Sequence, residues 1–469
     1  MRANLVSSIA VTCAAALALP LSLATPAAAL QPGAPTKPTA VPTVVDPAAP
    51  AAPPVVDPAE REAAPAAAAS ETDVAGSTQS LPLAPLGNGR RAIGSAAGAA
   101  QGLARRDVRP FSLVGVVWDD VQAHLHGTVQ VRTRATGSAD WSAWQNVEIH
   151  NDDHGADPGT VEAAGSVRGA TAPLWVGDSD GVEVRVQPDR YEELTAEAEP
   201  LPAGLRIELV DPGPEPAADP GPRTRVGYGA PTAHRAPTVE EAAATSVNAH
   251  LAPVGTAAIP AAAAAAKPYI GPRPKIITRK GWGANEKLRK GGFVYTKAVK
   301  AAFVHHSATG NNYTCKQAPS VLRSIYRYHT QSSGWRDFGY NFAVDKCGNI
   351  YEGRAGGVAK PVHGAHTLGF NTNSMGIAVL GTYSSTTPPA AAVNAVAKLT
   401  AWKLGLHGVN PKGKTTLVSA GGKYKKGKKV TFNSIAGHRD GFATACPGAR
   451  LYGKLGTART TSAKYQGRP

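Results

Sequence analysis

Two long stretches of this 469-residue chain contain too few large apolar side chains to form a core, and they divide it into two foldable segments. Residues 30–108 consist mainly of Ala, Pro, Ser and Gly, and residues 213–270 are rich in Pro and Ala. Such segments cannot bury enough apolar surface to offset the entropy lost on ordering. We therefore predict a disordered tether at 30–108, a linker at 213–270, and domains at 109–212 and 271–464.

The first 29 residues have the pattern of a secretory signal peptide. Arg2 precedes a mostly apolar run from Leu5 to Leu23, and small residues follow at Ala27 and Ala29. An N-terminal membrane anchor is the alternative, but Pro20 interrupts the run and no charged stop follows. We expect cleavage near Ala29 and a secreted protein, extracellular or associated with the cell wall, without a membrane span.

The net charge of +15 combines two opposite halves of the chain. From Gly271 onwards 31 Lys and Arg stand against 5 Asp and Glu, whereas the preceding residues hold 18 Lys and Arg and 29 Asp and Glu. Such asymmetry favours a polyanionic partner for the basic half. The densest cluster of cations is Lys423–Lys429, for which a solvated loop is the alternative reading. No nucleic-acid module is recognisable, so we expect no nucleic-acid partner.

Short alternating runs separated by turn residues predict a small antiparallel β domain at 109–212. The runs are 112–118, 129–134, 182–186 and 205–209. Trp141 and Trp144 lie three residues apart. We expect them in the core of the domain rather than exposed to stack on sugar rings, because large aromatic side chains dominate small cores. A wall-binding or carbohydrate-binding module is the working hypothesis for this domain.

The basic half mixes strand and helix patterns and predicts one α/β domain. Strands are expected at 299–306, 340–345 and 374–381, and helices at 320–329 and 390–406, where the apolar spacing is helical. At under 200 residues, this segment has room for one core. The predicted fold is therefore multidomain, with a mixed central β-sheet flanked by helices, preceded by a small antiparallel β domain and disordered linkers.

Cysteine and histidine residues in the basic half indicate a metal site. Removal of the signal leaves three cysteines, so at least one thiol lies outside any intramolecular disulfide. His438 and Cys446 lie eight residues apart with glycines on both sides, and His305 and His306 end an apolar strand. Two His and one Cys with an open position form a catalytic zinc set. Strand alternation lets only one of His305 and His306 face the metal easily, and it does not say which.

Seven ordered motifs resemble the zinc-dependent N-acetylmuramoyl-L-alanine amidase and peptidoglycan recognition protein family. The resemblance covers about 40% of the chain and does not extend to the β domain. The motifs are Ile276–Ala284, Phe303–Ser307, Gly334–Phe342, Gly348–Arg354, His363–His366 leading to Asn371, Asn373, Ser374 and Gly376, Gly437–Asp440, and Cys446–Gly448.

The resemblance implies a role for each matched residue. The zinc ligands are the first His of the pair and the two residues of the later loop, namely His305, His438 and Cys446. Tyr340 matches the catalytic tyrosine, and Thr444 matches the position of a transition-state-stabilising residue. Substrate contacts are expected from His366, Asn371 and Trp335. A disulfide is expected between Cys315 and Cys347, although their spacing differs from the closely spaced pair common in animal members.

The activity implied by the resemblance is hydrolysis of the amide between N-acetylmuramic acid and L-alanine in peptidoglycan, with one Zn²⁺ per domain. A non-catalytic peptidoglycan receptor on the same scaffold is the alternative, and a wall-anchored adhesin is a third reading. The expected partners are peptidoglycan and anionic wall polymers, which Lys423–Lys429 would attract. We expect a monomer.

Overall fold

The computed structural model describes residues 75–86, 100–149, 155–189, 200–215 and 269–469. The predicted signal peptide at 1–29, most of the tether and most of the 213–270 linker lie outside the described residues. Among the described residues, no helix combines the length and the apolar character needed to cross a bilayer. Residues from Ala63 to Pro469 belong to one compact unit, so the two domains are described together.

The N-terminal domain is an antiparallel sheet of eight strands. The strands are β1 Ser77–Pro82, β2 Ala84–Pro85, β3 Gln101–Trp118, β4 Gly127–Ala135, β5 Gln145–Val147, β6 Gly169–Ala170, β7 Leu174–Pro188 and β8 Arg206–Asp211. Their order in the sheet is β1-β8-β3-β7-β4-β5, with the short β2 and β6 paired to β3. Alternating valines fill its core, because successive strand side chains point to opposite faces. The expectation of an antiparallel β domain is confirmed.

The boundary of this domain differs from the prediction. Residues 77–82, 84–85 and 101–108 lie in strands, although the sequence predicts that they belong to a disordered tether. β1 pairs along its whole length with β8, so its few apolar side chains are ordered by a partner strand distant in sequence. Composition averaged over a long Ala/Pro-rich stretch hides such a short edge strand.

The two tryptophans of the β domain also differ from the prediction. Trp141 and Trp144 are partly exposed and lie outside the buried core. Guanidinium groups stack on their rings, with Arg185 4.2 Å from the Trp144 ring centre and Arg105 5.1 Å from that of Trp141. Cation–π contacts thus replace the expected core packing.

The C-terminal domain is built on a six-stranded mixed sheet of order β16-β10-β13-β11-β12-β9. The strands are β9 Ile276–Ile277, β10 Ala301–His306, β11 Phe342–Val344, β12 Ile350–Glu352, β13 Ser374–Val379 and β16 Ile435–Gly437, and a separate hairpin is formed by β14 Lys414–Val418 and β15 Lys429–Asn433. All pairs in the six-stranded sheet are parallel except β11 with β12. β10 and β13 are buried on both faces, as central parallel strands are.

Helices cover both faces of this sheet. They are α1 Arg279–Trp282, α2 Ala318–Arg327, α3 Ala390–Gly405, α4 His438–Gly441, α5 Ala449–Tyr452 and α6 Leu455–Tyr465. α3 and α6 pack in a cluster with Val304 and Ile377, whereas α2 packs in a second cluster with Ala343 and Ala378. A disulfide joins Cys315, just before α2, to Cys347, in the turn between β11 and β12. The predicted α/β architecture is confirmed.

Candidate metal centre and catalytic site

The two histidines at the end of β10 contact different partners. His305 is fully buried, its Nδ1 lies 3.8 Å from the Cys446 Sγ, and its ring centre lies 4.3 Å from that of His438. His306 is also buried, but its Nδ1 accepts a hydrogen bond from the Tyr383 N–H, and its Nε2 lies 3.3 Å from a Glu148 carboxylate oxygen of the β domain. Strand alternation alone left this choice open, and the structure brings His305 to the cysteine.

A closed loop brings His438 and Cys446 together. β16 ends at Gly437 and α4 begins at His438, where the Asp440 carboxylate accepts a hydrogen bond from the Gly437 N–H. The Arg439 N–H donates to the Cys446 carbonyl at 2.9 Å, which ties the start of the loop to its end. The Thr444 hydroxyl accepts from the Cys446 N–H at 3.1 Å and so lies directly beside the thiol residue.

The side chains of His305, His438 and Cys446 form a donor set suited to a metal ion. One ligand atom from each residue lies within 4.8 Å of the other two, and all three residues are fully buried. Two imidazoles and a thiolate are a combination that Zn²⁺ accepts, with a fourth position left for water or substrate. Cys446 takes no part in the disulfide, so its thiol is retained. The residues therefore fit a zinc ion.

Thr367 is a contact that the sequence analysis missed. Its hydroxyl lies 3.0 Å from the His366 Nδ1 and 3.5 Å from the His305 Nε2, on the side of the His305 ring opposite Cys446. An oxygen at the second nitrogen of a metal-binding imidazole fixes the orientation of the ring. Only the position of Thr367 next to His366 hinted at this in the sequence.

Tyr340 connects the donor set to a cavity. Its ring centre lies 5.2 Å from that of His305, and its side chain is 5% exposed. The cavity has a volume of about 490 Å³, within the range of small-molecule sites, and both domains line it. Trp335 also lines this cavity, with its ring stacked on His329 at 4.5 Å. Tyr340 and Trp335 are therefore in position to contact a ligand.

The structure buries the other two residues for which substrate contacts are expected. His366 and Asn371 are both fully buried and do not line the cavity. His366 packs so closely on Gly376 that a Cβ there would collide with its ring. The Asn371 amide donates to the Asp157 carboxylate and to the Gly155 carbonyl of the β domain, both at 2.9 Å. Asn371 thus holds the β domain against the α/β domain, a role that depends on a contact between segments far apart in the sequence.

Burial also alters the titration of His363, which lines a small pocket separate from the cavity of Tyr340. His363 is partly buried, and desolvation together with the nearby Arg354 guanidinium lowers its pKa below the ordinary value. Its Nε2 lies 3.3 Å from the Thr372 hydroxyl. The neutral imidazole is therefore the favoured form at neutral pH.

Comparisons with known proteins match the two domains separately. Residues 295–449 match the family model described as N-acetylmuramoyl-L-alanine amidase, and residues 63–219 match the model described as Rv3811 N-terminal galactose-binding domain-like. The second match begins well before residue 109, in agreement with the strands at 77–85.

Individual relatives match the α/β half. Peptidoglycan-recognition protein SC2 of Drosophila melanogaster is 31% identical over 184 residues, which are 39% of this chain and 85% of the relative. The human N-acetylmuramoyl-L-alanine amidase is 33% identical over 148 residues, 32% of this chain and 22% of that protein. The solved structure of Drosophila PGRP-LB is 25% identical, with a TM-score of 0.32, covering 39% of this chain and 93% of that one. From the family-model match and the SC2 identity, the chain belongs to the N-acetylmuramoyl-L-alanine amidase and peptidoglycan recognition protein family.

Proposed function

We propose that this protein is an exported zinc-dependent amidase, which hydrolyses the bond between N-acetylmuramic acid and L-alanine in peptidoglycan. The observation that carries the proposal is the buried set of His305, His438 and Cys446 with Tyr340 beside it. A protein that only binds peptidoglycan has no need of a preserved thiol next to two imidazoles. The similarity to a human protein named as this amidase supports the same activity.

The proposed reaction is the hydrolysis of an amide bond. Water adds to the carbonyl carbon of the lactyl group, the carbon–nitrogen bond breaks, and the nitrogen of L-alanine takes up a proton. The products are a lactyl carboxylate and a free amine. Zinc bound by His305, His438 and Cys446 would supply the Lewis acid that polarises the carbonyl and activates water.

The protein's own side chains stabilise the charge that develops on the carbonyl oxygen. Tyr340 lines the cavity beside His305, so its hydroxyl can donate a hydrogen bond to that oxygen. The Thr444 side chain, held next to Cys446, can orient the attacking water or donate to the same oxygen. Donors held in position before the reaction need little reorganisation during it, which is why they lower the barrier.

The proposal is tested by measuring new amino groups released from purified peptidoglycan together with the zinc content of the protein. We expect one zinc per chain, loss of activity on chelation and recovery when zinc is restored. Cys446→Ser and His438→Gln should lose both zinc and activity. The matched control His407→Gln changes an imidazole outside the site and should retain both.

A non-catalytic receptor is the rival function, and the same experiment separates the two. A wild-type protein that binds peptidoglycan and zinc but releases no amino groups would favour the receptor. Full activity in Cys446→Ser would contradict the zinc assignment. Export is tested separately, by the N-terminal sequence of the mature protein, which we expect to begin after Ala29.

A further inference from the structure

We infer that the β domain forms a fixed wall of the ligand cavity and that Arg168 on this wall binds a carboxylate of the ligand. The inference rests on the proposed function for the identity of the ligand, a muropeptide, and it assigns a specificity-determining residue outside the α/β domain. Segment 155–173 of the β domain contributes most of this wall, including Arg168.

A buried ion pair anchors this segment. The Glu162 carboxylate accepts two hydrogen bonds from the Arg354 guanidinium, both 2.9 Å, and one from the Arg336 N–H at 3.1 Å. Burial alone would raise the pKa of the Glu162 carboxyl. The charge of Arg354 outweighs this effect and holds the pKa below its ordinary value. Both side chains are under 9% exposed. Separating them would leave two uncompensated buried charges, so this contact resists opening.

Two further anchors lie on either side of this ion pair. The Asp157 carboxylate accepts hydrogen bonds from the Gly369 N–H at 2.7 Å and from the Asn371 amide. The Arg168 N–H donates to the Ser333 carbonyl at 3.1 Å. Next to it, Gly334 has a φ of 78°, and a Cβ there would collide with the Ser166 carbonyl oxygen. The backbone of Arg168 is therefore held in one place relative to the cavity.

A shared apolar core makes the wall permanent rather than displaceable. Leu113, Val117 and Trp175 of the β domain pack in one cluster with Tyr326 and Tyr328, which lie at the end of α2 and in the turn after it. The Tyr328 hydroxyl donates to the Thr171 carbonyl at 3.1 Å. If the β domain moved away to admit the ligand, all of this apolar area would be exposed to water, which would cost a large amount of free energy.

The cavity enclosed by this wall has a chemically mixed lining. Arg168, Gln122 and His124 face it from the β domain, and Trp335, Tyr340 and His329 from the other side. Arg168 is exposed, and its Nη1 donates to the Ser332 carbonyl at 3.5 Å. Its charge also acts on the buried Glu208 carboxyl, where it opposes the rise in pKa that burial causes, without a salt bridge between the two side chains among the described residues. The remaining N–H donors of the guanidinium are open to a ligand anion in the same cavity as Tyr340.

The ligand group that suits this residue is a carboxylate. A guanidinium presents a rigid fork of N–H donors that matches two carboxylate oxygens, and charge-assisted pairs of this kind are about twice as strong as neutral ones. Stem peptides of peptidoglycan carry carboxyl groups that in some walls are amidated. Arg168 should therefore distinguish free acids from carboxamides.

The experiment measures binding to the full-length chain, treated with a chelator so that no turnover occurs. The probes are an N-acetylmuramoyl tripeptide with free carboxyl groups and the same compound amidated, titrated by calorimetry. We expect the wild type to prefer the free acid by about 10-fold and Arg168→Gln to lose that preference. Arg168→Lys should retain part of it. The control Arg105→Gln, an exposed arginine at the Trp141 ring, should behave as wild type.

Two results would overturn the inference. One is an unchanged preference in Arg168→Gln. The other is tighter binding of the probe by Glu162→Gln. Tighter binding after loss of the ion pair would mean that segment 155–173 blocks the cavity and must move away before the ligand binds, rather than forming a fixed wall. Failure of the proposed function is seen separately: a preference that depends on Arg168 in a protein that never hydrolyses peptidoglycan would retain this inference and reject the amidase.

Discussion

Tyr340 illustrates how one side chain gains a role from its surroundings. In the sequence it is an aromatic residue at the start of a predicted strand, and only the family resemblance indicates a catalytic role. In the structure it precedes β11, contacts the His305 ring and lines the cavity. Its position joins the buried donor set to the space where a ligand can bind.

We expect Tyr340→Phe to lower kcat by about 100-fold, because it removes one hydrogen-bond donor from the developing oxyanion. Zinc content should remain at wild-type level, since Tyr340 is not one of the three donors. The check is steady-state hydrolysis combined with metal analysis. Tyr351→Phe, which removes a buried hydroxyl bound to Asp345, is the control and should keep its kcat. A wild-type rate in Tyr340→Phe would remove the tyrosine from the mechanism.

Lys403 is a buried lysine that makes the stability of the protein depend on pH. It is 2% exposed, and its ammonium donates to the carbonyls of Val358 and Lys360, both at 2.7 Å. Burial lowers the pKa of Lys403 to about 7. The unfolded chain therefore binds more protons than the folded one between pH 7 and the ordinary lysine pKa, so the free energy of unfolding rises with pH across this window.

We expect wild type to gain stability relative to Lys403→Met between pH 7 and 10, by at most about 1.4 kcal/mol per pH unit. Urea unfolding of both proteins at several pH values measures this difference. The comparison with Met removes the contribution of all other titrating groups, which are common to both. A difference that is constant from pH 7 to 10 would show that Lys403 is charged throughout.

At the scale of elements, the strands and helices of the α/β domain follow closely from the sequence. The predicted strand at 299–306 appears as Ala301–His306, and the predicted helix at 390–406 as Ala390–Gly405. Long apolar runs and helical spacing specify these elements through burial alone. The short strands at 77–85 differ, because their order depends on pairing with β8 and β3.

The hairpin of β14 and β15 carries the Lys423–Lys429 cluster in its connecting loop and at the first residue of β15. All five lysines of the cluster are exposed, and those at 423 and 428 lie within 5.5 Å of the Tyr424 ring centre. The loop therefore presents a dense positive charge to solvent, as the sequence predicts.

We expect substitution of Lys423, Lys425, Lys426 and Lys428 by Gln to weaken binding to purified cell walls several-fold at about 50 mM salt. The effect should disappear near 1 M salt, where charges are screened within about 3 Å. A co-sedimentation assay at both salt concentrations measures it. The control carries Gln at Lys287, Lys398, Lys412 and Lys454, which are also exposed, so that the change in net charge is equal. Equal weakening by both sets would mean that net charge, not the hairpin, is responsible.

At the scale of the whole molecule, the acidic half and the basic half meet through carboxylates. Glu148, Asp157, Glu162 and Glu208 of the β domain contact His306, Asn371, Arg354 and Ser332 of the other domain, respectively. The opposite charges of the two halves of the chain are therefore partly explained by these contacts, in which carboxylates of the acidic half bind groups of the basic half. The β domain is a structural part of the site, whatever it also binds.

We expect the two domains to unfold in a single transition, because they share an apolar cluster. Trp175→Ala removes a side chain that is 5% exposed at the centre of this interface and should destabilise the whole unit by about 3–5 kcal/mol. Calorimetry of both proteins tests this. Trp144→Ala, at a partly exposed position, should cost far less. Two separate transitions, of which Trp175→Ala shifts one, would contradict a common core.

The sequence by itself determined the fold class and the strand that ends in the paired histidines, because hydrophobic periodicity is a local property. The donor set followed from the order of the motifs only through the family resemblance. It could not choose between His305 and His306 by alternation, and it placed His366 and Asn371 at a surface that the structure buries. The tertiary structure decided those points because they depend on which distant segments pack together. The wall made by segment 155–173, and with it Arg168, exists only through contacts between residues about 200 positions apart.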